Sequence, residues 1–84
     1  MTVVVTRREG RIRVDDGGEA VARAGLPPGW WEVARRIEDE FCVNVSRHGV
    51  VFLPVAACFS VDEIEARIAA ASSAFANDLL DLQN

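Results

Sequence analysis

The chain reads as a small α+β domain: an antiparallel sheet of two hairpins with helices on one face, in the order ββααββα. Three observations predict this. Arg11-Ile12-Arg13-Val14 alternates polar and apolar residues with period two; Val61 to Leu82 carries apolar residues at steps of three and four; and two β-branched runs flank Arg47-His48-Gly49. Period two is the signature of a half-buried strand, and steps of three and four that of a helix with one buried stripe. With 84 residues, half of them hydrophobic, there is material for one core, so a single domain spans 1–84.

Taken in order, Thr2 to Arg7 is a β-branched run, Glu9-Gly10 is a turn signal and Arg11 to Val14 returns as the second strand. Ile12 and Val14 then face the core while Arg11 and Arg13 form a stripe in water. Asp15-Asp16-Gly17-Gly18 breaks the strand. Glu19 to Ala24 makes a short helix closed by Gly25, and Leu26-Pro27-Pro28-Gly29 cannot continue it. Trp30, Val33, Ile37 and Phe41 recur at helical spacing, with Glu32, Arg35, Arg36, Asp39 and Glu40 opposite them. Cys42 to Ser46 and Val50 to Leu53 are the second strand pair, with Gly49 supplying a positive φ in the turn and Pro54 ending the ladder.

Ser60-Val61-Asp62-Glu63 matches a capping box, in which the serine oxygen accepts the Glu63 amide. The helix it opens carries Val61, Ile64, Ile68, Ala71, Phe75, Leu79 and Leu82 along one stripe. Asp78 and Asp81 stand in its last turn, where carboxylates oppose the helix dipole.

The first residues, Met1-Thr2-Val3-Val4-Val5-Thr6-Arg7-Arg8, contain an apolar run too short for a signal peptide or a membrane span. The expected location is therefore the cytoplasm, without membrane attachment, and Cys42 and Cys58 are expected as reduced, buried thiols. Thirteen acidic residues against nine basic ones give a net charge of −4, which weighs against direct nucleic-acid binding by the domain as a whole. The charge is uneven: residues 1–25 hold five arginines and four acids, whereas 26–84 hold four arginines and nine acids. Every basic residue is arginine.

No catalytic or cofactor motif is present, and no metal site is expected. Asp15, Asp16 and Glu19 could offer oxygen ligands to a divalent cation, as in a metal-dependent nuclease fragment. An aspartate after a strand more commonly caps the following helix while glycines turn the chain, so Asp15, Asp16, Gly17 and Gly18 are read as a structural turn. A nuclease of the Asp…Glu-x-Lys kind would also need a lysine, and the chain has none. His48 is the sole histidine and, with two cysteines, cannot close a zinc site. It is read as a solvated turn residue.

Asp16-Gly17-Gly18 after a strand, followed by helices at Glu19 and Trp30 to Phe41, strands from Val43 to Leu53 and a long helix from Ser60 to Leu82, resembles the bacterial and phage domain of unknown function 1828. The resemblance implies mobile elements and phage-defence neighbourhoods, and supplies no activity. On this reading the chain is a non-enzymatic acidic binding protein of a phage or mobile element, an inhibitor of a bacterial defence complex of the anti-CRISPR kind. Its partner would be a protein, a basic nucleic-acid-handling complex, met by Trp31, Glu32, Asp39, Glu40, Asp62, Glu63 and Glu65. The alternative is a nucleic-acid-binding regulator that places Arg7, Arg8, Arg11 and Arg13 on phosphates. A chain this short hides little surface, so assembly into a homo-oligomer would help it.

Overall fold

A computed structural model describes residues 3–55 and 61–83. The elements are β1 (Val4–Arg8), β2 (Arg11–Asp15), α1 (Glu19–Ala24), α2 (Trp30–Phe41), β3 (Asn44–Val45), β4 (Val51–Val55) and α3 (Val61–Gln83). This is the α+β class and the ββααββα order that the periodicity predicts. The four strands form one antiparallel sheet ordered β1-β2-β4-β3. Both hairpins thus sit side by side through β2 and β4.

The register sets which side chains share a face, because directly paired residues project to the same side. Val14 lies between Val5 and Leu53, Ile12 between Arg7 and Val55, and Val45 beside Val51. These form the inner face, where α3 lies across β2 and β4 and in turn supports α1 and α2. Val14, Val51, Val33, Ile37, Ile64, Ile68, Ala71, Phe75 and Leu79 are buried together in that layer. Among the described residues the outer face carries no helix, and it consists of Arg8, Arg11, Arg13, Thr6, Val4, Asp15, Phe52, Pro54 and Asn44.

The first hairpin closes through Glu9 and Gly10, both at positive φ (52° and 75°). That pair of left-handed residues gives a tight two-residue turn whose twist matches the strands. The second hairpin turns through Ser46 to Val50, where Ser46 O accepts the Gly49 amide and Ser46 Oγ accepts the His48 and Val50 amides. Gly49 has φ 82°, and a Cβ there would collide with the Val21 side chain of α1.

Four expectations are corrected. Pro54 does not end the ladder: it pairs with Arg13 inside β4, and pairing continues to Val55. Asp16 N donates to Val51 O, so Val14–Leu53 and Ile12–Val55 are the hydrogen-bonded pairs with β2. Pro54 therefore needs no N–H on that side, and β3 stops short of it on the other. The third strand is only Asn44–Val45 rather than Cys42 to Ser46. Cys42 is exposed, not buried, because it takes the left-handed position (φ 54°) that ends α2. Leu82 leaves the buried stripe and is 43% exposed, since the stripe outruns the end of α3 that α2 and the sheet cover. Thr2, Cys58 and the Ser60 cap lie outside the described residues.

Candidate functional site

The outer sheet face gathers the arginines. Arg8 and Arg11 are direct cross-strand partners beside the turn, an arrangement that costs stability because like charges stand opposite each other. Neither has an ion-pair partner among the described residues. Arg13, two residues along the same strand, lies with its guanidinium carbon 4.1 Å from the centroid of the Phe52 ring. Its Nε is 3.7 Å from Asp15 Oδ2. Thr6, Arg8, Glu9, Arg11, Ile12, Arg13, Asp15 and Pro54 line an open depression of about 450 Å³. A planar cation stacked on a ring, next to unpaired guanidinium groups, can take flat apolar and anionic groups side by side.

The four arginines of the hairpin do not act as one patch. Arg7 pairs with Ile12 and projects to the inner side, away from Arg8, Arg11 and Arg13. Phe52 joins the site instead. Period two in Val51-Phe52-Leu53 already puts Phe52 on the face opposite to Val51 and Leu53, and Arg13 reaches it only because β2 and β4 are adjacent.

The acidic set is distributed differently. Glu32 sits in the first turn of α2 and Asp39 and Glu40 in its last, separated by Arg35 and Arg36 along about 12 Å of helix. Asp62, Glu63 and Glu65 open α3. Trp31 stacks on Trp30 with ring centroids 4.3 Å apart and remains 47% exposed, while Trp30 packs against the core.

The Asp15 to Gly18 segment is a hydrogen-bonded corner. Asp15 Oδ1 accepts the Gly17 amide at 2.7 Å. Asp16, 1% exposed, accepts the Gly18 amide (2.9 Å) and the Val51 amide (3.2 Å) on Oδ1. Its Oδ2 accepts the Ser72 hydroxyl (2.7 Å) and the Ala20 amide (3.4 Å). One carboxylate thereby joins β2, α1, β4 and α3, and both of its oxygens are engaged by protein donors. Among the described residues no group of three His, Cys, Asp or Glu side chains is placed to hold a metal ion. His48 is exposed in the β3–β4 turn. No described helix is long and apolar enough to cross a membrane.

No family model, no curated protein and no solved structure matches this chain.

Proposed function

We propose that this chain is a non-enzymatic binding module whose outer sheet face takes single-stranded nucleic acid. The observation that carries the proposal is the Arg8–Arg11 cross-strand pair beside Arg13 stacked on Phe52, all on the open face of the sheet. Guanidinium groups without acidic partners suit phosphates, and an arginine plane over an aromatic ring suits an unstacked base. A shallow sheet face offers no helix to enter a duplex groove, which favours the single strand.

The net charge of −4 opposes this at long range, but only Glu9 and Asp15 share the arginine face, and ten of the thirteen acids are carried by the helices. Helix-borne acids lie behind a sheet-to-helix spacing comparable to the Debye length, about 8 Å at physiological salt, so the arginine face acts largely on its own. Two phosphate contacts on a single strand, at Arg8 and Arg11, give a salt slope of about −1.4 on a log–log plot. Anisotropy titrations of a fluorescent oligodeoxythymidine, roughly a dozen nucleotides long to span one such face, provide the test. Salt-sensitive binding is expected that disappears when Arg8, Arg11 and Arg13 are changed to Gln, and weakens about tenfold in Phe52→Leu through loss of stacking. Reversing Glu32, Asp39 and Glu40 should leave it intact. Absence of binding at low salt, or binding indifferent to the arginine changes, would refute the proposal.

The half-exposed Trp31 supports a second reading, docking on a basic protein along α2, as an inhibitor of a nucleic-acid-handling complex would. Its association with phage or mobile elements rests on the resemblance of Asp16-Gly17-Gly18 and the element order. Under this reading Trp31→Ala and the acidic reversals abolish partner binding, and the arginine changes do not.

A further inference from the structure

The two edges of the sheet are treated differently. At the β3 edge the strand is two residues long, and Glu38 of α2 reaches over so that its Oε2 accepts the outward Val45 amide at 3.1 Å. That edge is short and its donor is occupied, both common devices against unwanted strand pairing. At the other edge β1 is five residues long and exposed throughout. It holds no proline, and among the described residues no helix packs against it. Val4 and Val5, its first two residues, are 40% and 38% exposed.

The free backbone groups of β1 can be assigned. Since Val14 and Ile12 bond toward β4, the alternating residues Arg11, Arg13 and Asp15 bond toward β1, where they meet Arg8, Thr6 and Val4. The outward N–H and C=O groups therefore belong to Val5 and Arg7, and to Val3 where the strand continues. All of these are inner-face positions.

We infer that β1 pairs with β1 of a second copy, antiparallel about a two-fold axis through Val5, extending the sheet continuously across both chains. In this register Val5 meets Val5, Val3 meets Arg7 and Val4 meets Thr6. Each outward-facing residue of the edge finds a partner, whereas an axis through Val4 leaves Arg7, and one through Thr6 leaves Val3, without a partner among residues 3–8. No charge lies opposite a like charge. The two Arg7 residues are separated by four residue steps, about 13 Å along the strands, beyond the screening length of about 8 Å. An isologous contact of this kind suits a strand that is complementary to itself when reversed.

The register has a geometric consequence. Paired residues share a face, and only inner-face residues have free edge groups, so both helical layers must lie on one side. Arg8, Arg11 and Arg13 of the two copies then share the opposite surface.

Sedimentation equilibrium across micromolar to millimolar concentrations tests this. The wild-type chain should shift from the mass of one chain to that of two. Val5→Pro should remain folded and monomeric, because it removes an edge donor that β2 does not use. Amide exchange gives an independent measure should that variant unfold. Rising wild-type concentration should slow exchange at Val3, Val5 and Arg7 and leave Val4 and Thr6, already bonded to β2, unchanged. A chain that stays monomeric at all concentrations overturns the inference. So does a dimer unaffected by Val5→Pro, or concentration-dependent protection located elsewhere, as a different interface or an alternative strand partner would give.

Discussion

The two hairpins make contrasting use of the same secondary structure. β1–β2 pairs five residues on each strand through a two-residue turn, yet β1 is exposed along its length. β3–β4 pairs only two, yet its turn is covered by α1, its edge amide is held by Glu38 and the start of β4 is tied to Asp16. Ladder length and burial run in opposite directions. The longer hairpin is specified by its own turn and strand residues, so its outer face and free edge remain available for recognition. The shorter one is not self-sufficient and is held by side chains of α1 and α2 and by Asp16 at the β2–α1 corner, so it has little freedom to accept another role.

That contrast is open to direct attack. The largest effect should come from Asp16→Ala, which orphans buried donors at Val51, Ser72 and Ala20. Losing a buried, hydrogen-bonded carboxylate of this kind costs about 3 to 5 kcal/mol, much of the stability of a domain this size. Urea denaturation should show it, with Asp15→Ala, whose bond to Gly17 is exposed, costing about 1 kcal/mol or less. Comparable losses for the two variants would mean that Asp16 does not unite the layers.

Next in size is the pair of turn glycines, both at positive φ. Gly49→Ala combines left-handed strain with collision against Val21 and Leu26, about 2 to 4 kcal/mol together. Gly10→Ala meets nothing within 4 Å and should cost only the strain, about 1 to 2 kcal/mol. Equal melting-temperature losses would remove the distinction between a covered turn and a free one.

The smallest effect on stability, and the most informative on function, is expected for Arg11→Gln. Relieving the repulsion with Arg8 should leave stability unchanged or raise it by a few tenths of a kcal/mol. Oligonucleotide affinity should meanwhile fall, and the salt slope shrink by about 0.7 for one lost phosphate contact. A variant that loses stability and keeps its affinity would make Arg11 a structural residue and return the outer face to an ordinary solvated surface.

Much of this architecture follows from local pattern. Steps of three and four identify Ile64, Ile68, Ala71, Phe75 and Leu79 as the buried side of α3, and alternation along β2 separates Val14 from Arg11 and Arg13. Turn chemistry at Glu9-Gly10 and Gly49 places both hairpins. These features are carried by neighbours within a few residues, so composition and spacing suffice to read them. Alternation also divides Arg7 from Arg8, although treating the hairpin arginines as a single set conceals it.

The remainder depends on which elements become adjacent. Arg13 meets Phe52, Asp16 receives the Ser72 hydroxyl, and Glu38 covers the β3 edge because the sheet orders itself β1-β2-β4-β3 beneath α3. Pro54 is tolerated in β4 for the same reason: its phase relative to β2 and the shortness of β3 leave no bond for it to break. Periodicity assigns a residue to a face but carries no information about the strand or helix opposite, since many pairings bury the same apolar stripe. The sequence by itself therefore determined the elements, their faces and the turns. Tertiary packing alone decided that three arginines and one phenylalanine share an open surface, and that one edge of the sheet is covered while the other is free.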